Sequence, residues 1–179
     1  PTAIEAESSE LFPETAPKWS IIKYEFPARE GMPPVTLTWY DGGKKPPKEL
    51  FEFEDEDKDV PSGGSLMVGS EGKMFSGGDY GTSYTLWPKA KFDGYKPPEQ
   101  TLPRAPGGNP YKEWLAACKG GPAAMSNFDN SAFLTEVVVL GNLAVRLGKR
   151  VEWDGEAMRS PNAPEAAQLI KPHIPKGWV

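Results

Sequence analysis

The amino-terminal part of the chain alternates apolar and polar side chains with a period of two, the pattern of strands that bury one face. In "TAIEAES", Ile4 and Ala6 stand against Ala3, Glu5 and Glu7. "WSIIKYEFPA" sets Ile22, Tyr24 and Phe26 against Ile21, Lys23 and Glu25. "PVTLTWY" does the same, with Val35, Leu37 and Trp39 on the expected core side and Thr36, Thr38 and Tyr40 opposite. "GSLMVGSEGKMF" predicts a hairpin turning at Gly69-Ser70-Glu71-Gly72, and "SYTLWP" a strand stopped by Pro88. Alternation, rather than solid apolar runs, points to an antiparallel sheet with one covered face.

Later in the chain the period changes to that of helices. "NPYKEWLAACKGG" predicts a short helix ended by its glycine pair, with Trp114, Leu115 and Cys118 on the buried side. "AFLTEVVVLGNLAVRLG" predicts the longest helix, with Asp129, Asn130 and Ser131 offered as N-caps and Gly148 as its stop. Phe133, Leu134, Val137, Val138, Leu140, Leu143 and Ala144 cover most of its circumference, so it is expected to be buried against the sheet. Gly141 inside it costs about 1 kcal/mol relative to alanine, which implies close approach to a neighbouring backbone. "KRVEWD" returns as a strand, and Asn162-x-x-Glu165 reads as the cap of a final helix with Pro164 in its first turn.

Two long irregular segments interrupt this order. Residues 42–62 carry an acidic run from Glu52 to Asp59, but Leu50, Phe51 and Phe53 predict docking onto the protein itself or onto a partner subunit. Residues 93–110 read as an irregular loop of the length that is often functional. The expected fold is α+β: one domain over residues 1–179 with an open, mostly antiparallel sheet of about six to eight strands and helices on one face. The other face is read as partly apolar and aromatic, and so as a surface that meets another subunit or domain.

Composition removes several function classes. With 20 prolines and 19 glycines the chain is not a compact helical bundle. A net charge of −5 argues against nucleic acid as a partner, and no apolar run reaches the ~18–20 residues of a membrane crossing. Cys118 is the only cysteine and His173 the only histidine. That excludes a thiolate or multi-histidine metal site and leaves one histidine for any triad. Cys118 reads as a buried structural thiol. "PTAIEAESSE" opens on a strand pattern with no initiator methionine, so the chain reads as a fragment of a longer protein.

No phosphate cradle emerges. "GGSLMVG" lacks the strand–GxGxxG–helix setting, and "SGGDYGTSY" has no GxSxG elbow. Six tryptophans in an acidic β-rich chain raise sugar stacking, against the plainer reading of core or interface anchors. Lys44 and Lys45 in "WYDGGKKPP" are either solvated loop charges or ligands for an anion. Asn127 and Asp129 in "SNFDNS" are either helix caps or groups that meet an anionic or hydroxyl ligand at the helix N-terminus.

The succession "WSIIKYEFPAREGMPPVTLTWYDGGKKPP", "GGSLMVGSEGKMF", "EWLAACKGG", "SNFDNSAFLTEVVVLGNLAVRLGKRVEWD", "SPNAPEAAQLI" and "KGW" resembles the C-terminal domain of Gfo/Idh/MocA-type oxidoreductases. It is similar to the bacterial branch common in Bacteroidetes and Planctomycetes, and the resemblance spans nearly the whole chain. It implies a glyceraldehyde-3-phosphate dehydrogenase-like C-terminal domain that binds substrate, oligomerises through its open sheet face, and lacks its N-terminal Rossmann partner. The whole enzyme would transfer hydride between NAD or NADP and a sugar, sugar derivative or polyol. The dinucleotide fingerprint and the family's lysine-proline motif are absent here, and its histidine/aspartate helix normally precedes the first strand. The resemblance therefore implies a chain that neither binds NAD nor turns over by itself, and it transfers no catalytic residue, cofactor ligand or metal ligand to any position.

Substrate-facing candidates come from position and polarity instead: Tyr40, Lys44, Asn127 and Asp129, with His173 and Trp178 added because a proline-broken tail "KPHIPKGWV" folds back readily over a site. The expected function is that of the substrate-binding and oligomerisation domain. The alternative is a non-catalytic carbohydrate-binding or assembly module. The compartment is left open between cytoplasm and export.

Overall fold

A computed structural model describes residues 1–171 and Gly177, apart from Glu56, Asp79 and Tyr80. In chain order the elements are β1 (Ala3–Ser8), β2 (Ser20–Phe26), β3 (Val35–Asp41), β4 (Ser65–Val68), β5 (Lys73–Ser76), β6 (Thr85–Trp87), α1 (Pro110–Cys118), α2 (Phe128–Leu147), β7 (Val151–Glu152) and α3 (Ala167–Ile170). The fold is α+β, and every described ladder is antiparallel. The chain divides into two compact units: Pro1–Lys44 with Asn109–Val179, and Lys45–Gly108. The strands accordingly form two sheets, in the orders β3-β2-β1-β7 and β4-β5-β6.

In the first unit the strand register puts Ile4 opposite Tyr24 and Val151, and Ala6 opposite Ile22. These side chains share the face that α2 covers. Ile4, Ile22, Tyr24, Leu140, Leu143, Ala144, Val145, Val151 and Trp153 form one buried cluster, each large side chain contributing roughly 1.5–3 kcal/mol. Gly141 is the contact point. A Cβ there would overlap the Tyr24 hydroxyl and stand 2.9 Å from Ile22 Cδ1. The close neighbour is thus a pair of side chains, not the backbone that the helix pattern implied.

Coverage ends at β2. Val35, Leu37 and Trp39 lie opposite Phe26, Tyr24 and Ile22, in phase with the core as their alternation predicts. Yet they are 55, 40 and 56% exposed, because α2 packs on β1 and β2 and does not extend over β3. Trp39 is therefore not a core residue. The helix divides in the same way. Leu140, Gly141, Leu143, Ala144 and Val145 are buried, while Phe128, Phe133, Leu134 and Val138 stand in solvent.

The sheet face away from α2 differs from expectation as well. It carries ion pairs rather than an apolar surface. Lys23 Nζ lies 3.1 Å from Glu5 and 3.7 Å from Glu25, and Arg150 donates two hydrogen bonds to Glu25 at 2.8 and 2.7 Å. Helix α1 buries none of its residues, so Trp114, Leu115 and Cys118 are exposed rather than internal.

The final cap is corrected too. Ala163, not Asn162, precedes the 3₁₀ turn Pro164–Ala166 that leads into α3. Asn162 Oδ1 accepts from Glu152 N at 2.8 Å, and its Nδ2 donates to Arg150 O at 3.0 Å. The side chain clips the outer edge of β7, which serves backbone groups that a two-residue strand leaves open.

The second unit has an aromatic core. Its hairpin closes where expected, with Gly69 N donating to Gly72 O at 2.9 Å. Phe51, Val60 and Trp87 are buried, and Leu50, Phe53, Leu66 and Phe75 pack against them. Phe53 stacks on Phe51 with ring centres 5.1 Å apart, and Phe75 stacks on Trp87 at 5.9 Å. The apolar residues of the acidic loop thus dock on the protein's own small sheet, as their hydrophobicity requires. Among the described residues no helix is long and apolar enough to cross a membrane.

Candidate functional site

Tyr40 and Lys44 lie at one end of the large sheet. Strand β3 ends at Asp41, whose Oδ1 accepts from Gly42 N at 2.7 Å and opens the turn. Gly42 has φ +65, and a Cβ there would overlap the Lys18 carbonyl oxygen, so only glycine brings the two connections this close. The turn delivers the Lys44 ammonium to 4.1 Å above the Trp19 ring, a cation–π contact worth about 0.5–1 kcal/mol at an exposed position. Tyr40 is half-buried opposite Ile21 on the ion-paired face. Lys45 is committed elsewhere, donating from Nζ to the Val60 carbonyl at 2.6 Å.

Asn127 and Asp129 form a second locus at the start of α2. Asn127 is the N-cap, its Oδ1 accepting from Asp129 N at 3.0 Å. Around it Asn130 Nδ2 donates to Met125 O at 2.9 Å and Ser131 Oγ to Ser126 O at 2.7 Å. Glu113 Oε1 of α1 accepts from Met125 N at 2.9 Å, which ties the two helices together. These bonds commit Asn127 Oδ1, Asn130 Nδ2 and Ser131 Oγ to the turn itself. Asp129 is exposed in the first turn, where its charge complements the helix dipole.

The two loci are far apart. Arg146, near the C-terminal end of α2, donates to the carbonyls of Phe12 and Pro13 in the β1–β2 connection. That connection lies at the end of the sheet that holds Trp19 and Lys44. Asn127 stands at the other end of the helix, about 28 Å away along its axis. The structure brings Tyr40 and Lys44 to one neighbourhood and Asn127 and Asp129 to another. His173 and Trp178 lie outside the described residues.

The chain matches no family model and no curated protein.

Two hollows in the second unit lie outside the sequence-based site candidates. One, of about 260 Å³, is lined by Phe53, Phe75, Trp87, Glu54, Lys58 and Lys89 among others. Around it Lys89 meets Glu54 at 2.8 Å, Lys73 meets Glu52 at 3.0 Å, and Lys58 Nζ sits 5.1 Å over the Phe53 ring. The visible signal was Phe53 among acidic residues, an apolar side chain that a solvated loop would not carry. The other hollow, about 360 Å³, is a shallow dish on the hairpin beside Met67, Met74, Leu86 and Phe92.

Among the described residues no group of three histidine, cysteine, aspartate or glutamate side chains stands close enough to hold a metal. A dinucleotide finds no cradle in them either. Such a site needs a parallel strand–turn–helix unit with glycines at the helix start. Every described ladder is antiparallel, α1 begins at Asn109-Pro110, and α2 begins at Asn127-Phe128. The Rossmann-type setting for a dinucleotide is therefore not found among the described residues.

Proposed function

We propose that this chain is the substrate-binding and oligomerisation domain of an NAD(P)-dependent sugar or polyol oxidoreductase of the Gfo/Idh/MocA type. The reading rests on the ordered series of motifs from "WSIIKYEFPA" to "KGW". Its support from geometry is the way those motifs fall on structure. They supply β2, β3 and the Asp41–Lys44 turn, the β4–β5 hairpin, the cap and body of α2, and β7 with its Asn162 clip.

In this reading the domain binds and orients, and hydride chemistry belongs to the cofactor held elsewhere. The Lys44 ammonium and the Tyr40 hydroxyl are the groups that would meet a polyol or a neighbouring domain at the sheet end. Trp19 holds the ammonium in place between its face and solvent. Asn127 caps the far end of α2, and the Asp129 charge complements the helix dipole there.

Calorimetry tests the reading. NAD, NADH and NADP titrated into the chain should give no heat, while amide shifts around Trp19, Tyr40 and Lys44 should respond to millimolar polyols. A micromolar dinucleotide response would overturn it, and so would shifts confined to the second unit's hollow. The latter result would favour the carbohydrate-binding module.

A further inference from the structure

The acidic segment of the second unit folds its charge around an aromatic corner. Phe51 is buried in that unit's core, and Phe53 stacks on it with ring centres 5.1 Å apart. The Phe53 ring then stands at 89° to Trp87, 5.8 Å away, while Phe75 lies parallel to Trp87. Thr85, opposite Phe75 in the β5–β6 register, continues the wall. These groups line the hollow of about 260 Å³, together with the exposed charges of Glu54, Asp55, Lys58 and Lys89.

One wall already holds a cation. Asp57 N donates to Asp55 Oδ1 at 2.9 Å, and Lys58 N donates to the Asp55 carbonyl at 3.1 Å. That turn carries Lys58 Nζ to 5.1 Å from the centre of the Phe53 ring. An ammonium within about 6 Å of a ring centre is drawn to the negative face of its π-system. The surrounding charge acts in the same direction. Residues 52–59 hold six carboxylates and one lysine. Lys73 and Lys89 each neutralise one, Glu52 and Glu54, so the segment keeps a negative excess.

The kind of cation follows from the acceptors. A primary ammonium brings three N–H donors that need partners. The carboxylates lining the hollow are already bonded: Glu54 to Lys89, Glu52 to Lys73 and Asp55 to the Asp57 amide. A quaternary ammonium has no N–H to satisfy, and ring faces with a net negative field suffice for it. The hollow is smaller than a drug-sized pocket, which suits a head group of this kind.

We infer that the hollow of Phe53, Phe75 and Trp87 binds a small quaternary-ammonium compound, with the Lys58 ammonium as the resident group it displaces. The site stands independently of the oxidoreductase reading, whose polyol shifts fall around Trp19, Tyr40 and Lys44.

Amide and indole NMR shifts of the whole chain test it, at constant ionic strength, with choline and its uncharged carbon isostere dimethylbutanol as probes. Choline should shift the Phe53, Phe75 and Trp87 signals with a dissociation constant of about 1 mM, and the isostere should bind about tenfold more weakly. Lys58→Gln removes the resident ammonium from an exposed position and should tighten choline about two- to fivefold while leaving the isostere unchanged. Phe53→Leu keeps an apolar side chain without the ring and should weaken choline about tenfold. Equal affinity for choline and the isostere overturns the inference, as does the absence of shifts at these residues well above that concentration. A Lys58→Gln chain that binds choline no better than wild type overturns it too, and that result stands even where the Phe53 variant fails to fold. Shifts in the hollow from polyols with none from choline would assign it to sugars instead.

Discussion

Strands β2 and β3 are written alike and placed differently. Both alternate apolar and polar residues over seven positions, and their registers put Ile22 beside Trp39 and Tyr24 beside Leu37. In β2 the apolar set is sealed under Gly141 of α2, with Ile22 and Tyr24 buried. In β3 the same phase opens on water, and Trp39 keeps 56% of its surface. Alternation states which way a side chain points. What covers it is decided by the width of one helix laid on the sheet.

The largest effect should come from the covered side. Ile22→Ala removes aliphatic bulk from beneath Gly141 and should cost about 2–5 kcal/mol of unfolding free energy in urea titrations. An effect no larger than that of a surface change would mean that α2 does not seat on β2.

Next comes the helix start. Asn127→Ala removes the acceptor for Asp129 N and should cost about 1 kcal/mol. Asn127→Ser restores a capping oxygen and should recover most of it. If serine does not rescue, the side chain serves something other than the cap.

The ion-paired face gives a pH signature. The Arg150 hydrogen bonds hold the Glu25 carboxyl at about 2, down from 4.5, with Lys23 adding to the shift. A carboxyl whose folded value is depressed adds stability that is complete above its unfolded value and is lost as pH falls. The loss should therefore run from about 4.5 down towards 2. It should be small, because the groups are exposed. Glu25→Gln should flatten that part of a melting-temperature profile, and an unchanged profile would remove Glu25 from the account. Smallest of all, Trp39→Ala should shift the stability of the diluted chain by no more than about 0.5 kcal/mol, although it shares a register pair with Ile22.

Much of the fold was legible because its cues are local. The phases of β1, β2 and β3, the Gly69–Gly72 hairpin, the stop at Pro88 and the Gly148 terminus of α2 all depend on near neighbours in the chain. What stayed hidden depends on distant parts. Cys118 and Leu115 look internal by helical spacing, but α1 buries none of its residues. Asn162 and Glu165 make a capping box on paper, yet Asn162 is drawn to the open backbone of β7 and Glu165 to Lys149 at 2.6 Å.

The division of the strands between two sheets has no sequence signal of its own, since each strand alternates in the same manner. The candidate site was legible only in part. The Asp41–Lys44 turn and the Asn127 cap could be located from glycine and asparagine, but their separation is set by the length and direction of α2.

Hydrogen exchange of the wild-type chain at low and at high concentration tests the β2–β3 contrast most directly. The account predicts that Ser20–Phe26 amides exchange slowly at both concentrations, while the amides of Val35–Asp41 that do not bond to β2 exchange fast. Protection of those Val35–Asp41 amides equal to that of Ser20–Phe26 in the dilute chain would contradict it.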